Sequence, residues 1–117
     1  MSEVYALEAQ LAEAKENMAR RDLALQLYNN PAFKKLILEE FCVKDCARYA
    51  QQSADPALTD RQRADALALA QAAGHLRRFL SVTVVMGNNG EHAQEALEQE
   101  IIAARQEEDE AQAGDPQ

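Results

Sequence analysis

Apolar positions in residues 3–28 recur at alternating intervals of three and four. Val4, Leu7, Leu11, Ala14, Met18, Arg21, Leu25 and Tyr28 fill the successive places, and Arg21 is the one polar break. Held over nearly four heptads, this spacing predicts a long helix with a narrow coiled-coil-like seam. Leu23 and Leu27 widen the apolar edge only toward the C-terminal end, where the last turns are expected to pack on the next helix. Asn29-Asn30-Pro31 then stops the helix, since Asn tolerates cap geometry and proline cannot continue the ladder.

A second helix is predicted over residues 31–52, with Asn30 as its cap and Pro31 at its first position. Phe33, Leu36, Ile37 and Phe41 follow at helical spacing, and Leu38, Cys42, Val43, Cys46 and Tyr49 spread the apolar stripe over most of the circumference. Such a helix is covered on several sides. It is therefore expected to be central, with Phe33, Ile37, Phe41, Leu76 and Phe79 in the core.

After the Asp55-Pro56 turn, Thr59 and Gln62 match a capping box and open a third helix over residues 60–86. Its first half is rich in alanine, which favours close approach to a neighbour. The β-branched run Ser81–Val85 is expected to stay helical, because no second strand is available to pair with it. Gly87-Asn88-Asn89-Gly90 reads as a turn or hinge. A fourth helix is predicted over residues 91–108, striped by Ala93, Leu97, Ile101 and Ala104, followed by a disordered acidic tail at 109–117. The fold class expected is all-α: one domain over residues 1–108, a small bundle of three to four helices with a long coiled-coil-like N-terminal helix.

Charge sharpens this picture. Residues 1–90 hold acids and bases in equal number, whereas residues 91–117 hold nine acids and one base, Arg105. The whole formal charge of −8 therefore sits in the last segment. That argues against direct nucleic-acid binding there, because phosphate contacts need Lys and Arg. Glu95, Glu98, Glu100, Glu107 and Glu108 are the candidate acidic surface for a partner protein. Basic pairs stand at Arg20-Arg21, Lys34-Lys35, Arg61 with Arg63, and Arg77-Arg78. They are expected to be solvated, or to receive the acidic fourth helix of the same chain or of a neighbour; a nucleic-acid patch is the weakest reading, since no aromatics interleave with them.

No apolar run approaches the roughly 20 residues needed to cross a bilayer. The opening MSEVYALEAQ has an early acid and no basic stretch, so a signal peptide is not expected and a cytoplasmic location is. Cys42 and Cys46 lie four apart on one helix, poorly directed for a disulfide, and read as buried, reduced thiols. His75 and His92 have no ligand-like pattern around them, so neither a metal nor any other cofactor is expected. No phosphate-cradling loop, nucleophile elbow or paired acid and base is found, and Glu39 and Glu40 point about 100° apart on a helix. No catalytic residue is assigned.

One resemblance bears on role. The order Leu27-Tyr28-Asn29-Asn30-Pro31-Ala32-Phe33-Lys34-Lys35, then Ala54-Asp55-Pro56, then His75-Leu76-Arg77-Arg78-Phe79-Leu80 and Gly87 resembles small helical proteins of tailed bacteriophages. That resemblance implies a phage-related, non-enzymatic role, in the host cytoplasm or the virion. The expectation is an assembly or adaptor protein that forms a homo-oligomer, dimer or higher, through Val4, Leu7, Leu11, Met18 and Leu25. The competing reading of that seam is an intramolecular hairpin of residues 4–18 with the fourth helix. The alternative role is an acidic inhibitor that occupies a basic, nucleic-acid-binding surface of another protein.

Overall fold

The computed structural model describes residues 3–114, and every regular element among them is helical. α1 spans Glu3–Tyr28, α2 is the single turn Pro31–Phe33, a π-helical stretch covers Lys34–Asp45, α3 spans Cys46–Ser53, and α4 runs unbroken over Asp60–Ala113. Packing groups the chain into two compact units, Met1–Asp22 with Thr83–Gln117, and Leu23–Val82.

In the first unit, α1 and the second half of α4 form an antiparallel pair. Val4 and Leu7 cluster with Ile101 and Ala104, and Leu11 and Leu97 pack on the cluster's edge. Each large apolar side chain buried there contributes roughly 1.5–3 kcal/mol. The exposed ion pair between Arg105 and Glu8 spans the same two helices. A pair of that kind adds only about 0.2–1 kcal/mol. The apolar seam supplies the hold, and the ion pair helps fix its register.

The expected break at 87–90 is not there: residues 60–86 and 91–108 belong to one helix. The reason lies in what the two glycines face. A Cβ on Gly90 would sit 2.6 Å from the backbone oxygen of Ala14, and a Cβ on Gly87 would overlap the Arg21 side chain. Two glycines cost a helix roughly 2 kcal/mol against alanine. Here they let α1 approach the α4 backbone, and that contact offsets the cost. A sequence signal for continuity does exist. Ala66, Ala73, Leu80, Gly87, Gln94 and Ile101 recur every seven residues, and Leu76, Thr83, Gly90, Leu97 and Ala104 recur three residues behind them. The phase passes through 87–90 without a slip, whereas a turn would reset it.

The second unit corrects the expectation of a large-residue core. Its buried side chains are Ala24, Cys42, Ala66, Ala73 and Leu80. Phe33, Ile37, Phe41 and Leu76 are only half-buried, and Phe79 is 55% exposed. Residues 34–45 are buried at Cys42 alone, so this segment is not covered on several sides. A row of alanines on α4 lets the facing backbone come close, and that leaves no depth in which to bury a phenylalanine.

The segment's geometry also departs from expectation, since Lys34–Asp45 is π-helical. The amide of Cys46 donates to the carbonyl of Phe41, five residues back. A wider turn brings residues four apart nearer to eclipse. Cys42 and Cys46 accordingly reach the same helix, their thiols donating to the carbonyls of Ala73 at 3.9 Å and Ala70 at 3.6 Å.

Local punctuation follows the sequence. The Asn30 side chain accepts from the amides of Ala32 and Phe33 at 2.9 and 3.0 Å. Thr59 and Gln62 close a reciprocal capping box at 3.0 and 3.1 Å. Arg63 donates to the Asp55 and Leu58 carbonyls and pairs with Asp60, fastening the loop to the first turn of α4. Ser81–Val85 is helical. The tail is helical further than expected: Glu107–Glu110 lie within α4, which alanine and glutamine carry on to Ala113. Residues 115–117 lie outside the described residues.

Candidate interaction site

Three surfaces carry the chemistry of this chain. The first is the α1 seam. Val4, Leu7 and Ala14 are buried, Leu11 and Met18 half-buried, all on the side facing α4. Within one chain, then, Val4 and Leu7 of the seam already pack on α4. Leu25 departs from the seam and is 41% exposed, while Ala24 takes its place at 3%. From Arg21 onward the inward position is thus Ala24, three residues further along the helix.

Arg21 is the polar member of this seam and is 9% exposed. It meets an acid of its own chain. One terminal nitrogen lies 3.3 Å from a Glu91 carboxylate oxygen and donates to the Gly87 carbonyl at 3.4 Å and the Asn88 side-chain oxygen at 3.2 Å. Its Nε donates to Asp22 at 3.1 Å. Burial pulls its pKa down, but the Asp22 hydrogen bond and the Glu91 charge outweigh that, leaving the pKa above the ordinary arginine value. Gly87, Asn88 and Glu91 thus form a receptor for one guanidinium: the glycine makes room, the asparagine accepts, and the glutamate neutralises. The sequence signals were present separately, as the polar break and the Gly-Asn-Asn-Gly run, but nothing in one dimension linked them.

The second surface is acidic. Glu95, Glu98, Glu100, Glu107 and Glu108 are all exposed on α4. Glu98 accepts from Gln94 at 3.0 Å and Glu95 from Gln99 at 3.4 Å. Among the described residues none of the five is paired with a base. The third surface is a groove of 340 Å³ lined by Tyr28, Leu38, Val43, Arg77, Arg78 and Ser81.

The cysteines are both free, Cys42 buried and Cys46 half-buried. Burial pushes the Cys42 thiol above its ordinary pKa, against the pull of the Arg77 charge. Among the described residues no group of three or more His, Cys, Asp or Glu is placed to hold a metal ion, and no helix is long and apolar enough to cross a membrane. Comparison with known proteins finds no matching family model, no matching curated protein and no matching solved structure.

Proposed function

We propose that this chain is a non-enzymatic helical interaction protein that self-associates and serves as an assembly or adaptor component. The resemblance to small phage proteins supports a phage-encoded role, at work in the host cytoplasm or the virion. The observation that carries the reading is the apolar surface left on residues 23–82: Leu23 is 61% exposed, Leu36 66%, Val43 56% and Phe79 55%. Large apolar side chains left in water on α1, the π-helical stretch and α4 of one compact unit mark a protein–protein surface. Alanine-lined packing supplies the fold, and the larger side chains remain for a partner.

The experiment is sedimentation equilibrium at micromolar concentrations on the wild type and on a Leu36→Ser, Phe79→Ser variant. Burying each of these side chains in an interface is worth roughly 1.5–3 kcal/mol. Association in the wild type, weakened at least tenfold in the variant, is the expected result. A wild type that stays monomeric throughout removes self-association from the reading.

A second reading has its own observation, the five exposed acids of α4 that no base of the described chain engages. They suit an inhibitor that covers a basic, nucleic-acid-binding surface of another protein. Salt separates the two roles, because a charge decoy loses its partner steeply as salt rises and an apolar contact holds.

A further inference from the structure

We propose that the groove lined by Tyr28, Leu38, Val43, Arg77, Arg78 and Ser81 receives the acidic outer face of α4 from a second copy of this chain. The proposal rests on the self-association reading above and names the surfaces that meet.

The groove combines an apolar floor with two cations at its rim. Leu38 and Tyr28 are half-buried there, Val43 is exposed, and Arg77 and Arg78 are exposed on consecutive positions of α4. Of the six other bases of the same compact unit, four are matched locally, and Lys34 and Arg61 are not among them. Lys35 and Lys44 pair with Glu40 at 2.9 and 3.2 Å, Arg48 pairs with Asp45 at 3.0 Å, and Arg63 pairs with Asp60. Arg77 and Arg78 form no ion pair among the described residues. Two guanidiniums at the rim of an apolar trough suit carboxylates flanking an apolar side chain.

The same sequence supplies such a ligand. Glu95, Glu98, Ile102 and Asp109 follow one another at intervals of three, four and seven on α4, which places them on one helix face. All four are exposed, Ile102 by 56%. The one base near them, Arg105, is taken by Glu8. An isoleucine flanked by acids is thus complementary in charge and polarity to an apolar trough that carries two consecutive arginines. Nucleic acid is the weaker occupant. The chain carries a net charge of −8, nearly all of it near Ile102, which would repel a polyanion approaching the molecule.

The test is charge reversal with rescue, read by sedimentation equilibrium. Arg77→Glu, Arg78→Glu and Glu95→Arg, Glu98→Arg change only exposed side chains, and circular dichroism verifies that each variant keeps its helices. Each is expected to associate at least tenfold more weakly than wild type. An equimolar mixture of the two variants is expected to recover association, because the reversed groove of one meets the reversed face of the other. Rising salt should weaken the wild type. If the wild type associates but both variants match it, this pairing is wrong while self-association stands. A wild type monomeric at every concentration overturns both. Retention of a duplex DNA oligonucleotide by the wild type, lost in Arg77→Glu, Arg78→Glu, would give the groove to nucleic acid and overturn the proposal.

Discussion

Gly74, Gly87 and Gly90 all lie inside α4, so alanine at each position gains the same intrinsic helix preference, about 1 kcal/mol. Their surroundings differ. A Cβ at Gly74 meets nothing within 4 Å, whereas at Gly90 it meets the Ala14 backbone and at Gly87 the Arg21 side chain. Gly74→Ala should therefore stabilise the protein by roughly 0.5–1 kcal/mol. Gly87→Ala and Gly90→Ala should each destabilise it by about 1–3 kcal/mol, as overpacking does. Urea unfolding of the three variants checks the signs, and stabilisation by Gly90→Ala would mean that the helices do not approach there. The core makes a second residue-scale prediction. Leu80 is 4% exposed and Phe41 only half-buried. Leu80→Ala should cost about 2–5 kcal/mol, and Phe41→Ala less, despite the larger side chain removed. The reverse order in the same assay would restore the middle segment as the core.

At the scale of elements, the unbroken α4 predicts slow exchange at its interior amides. The amides of Asn88, Asn89 and Gly90 should be protected from hydrogen exchange as well as those of Val84 and Val85. Exchange at the rate of an open loop would show a hinge instead. The middle segment carries a pH dependence. Hydrogen bonds from Lys35 first and Lys44 second hold the Glu40 carboxyl below its ordinary pKa. The folded state thus binds that proton less tightly than the unfolded chain does. The stabilisation is complete above the unfolded value and is lost as pH falls through the folded one. Glu40→Gln should flatten part of the acid limb of a stability–pH curve, and an unchanged limb would show that the contact contributes nothing.

At the scale of the whole molecule, the uneven charge has a measurable consequence. Glu107, Glu108, Asp109 and Glu110 are consecutive, exposed and close to the C-terminal end of α4. Like charges repel there, and negative charge is unfavourable beside the carbonyl end of a helix. Salt shortens the screening length from about 30 Å at 0.01 M to about 3 Å at 1 M. Far-ultraviolet ellipticity, recorded at concentrations too low for association, should therefore deepen with salt. Charge-neutral Gln at these four positions should abolish the effect, and an ellipticity indifferent to salt in the wild type would contradict it.

The sequence by itself determined what depends on neighbours along the chain. The all-helical character, the end of α1 at Asn29–Pro31, the Asn30 cap and the Thr59–Gln62 capping box all rest on contacts a few residues apart. The heptad phase of α1 was legible for the same reason, since periodicity is a local property. Only the tertiary structure decided which surface each seam meets, and three readings turned on it. The glycines at 87 and 90 signal a turn in isolation, yet they stay helical because the Ala14 backbone and the Arg21 side chain occupy the space their missing side chains leave. Arg21 reads as a flaw in a seam until Asn88 and Glu91 are brought beside it. The phenylalanines read as core, but the alanine row of α4 sets a helix separation too small to enclose them. In each case local preference is worth about 1 kcal/mol per residue, while close packing decides several at once.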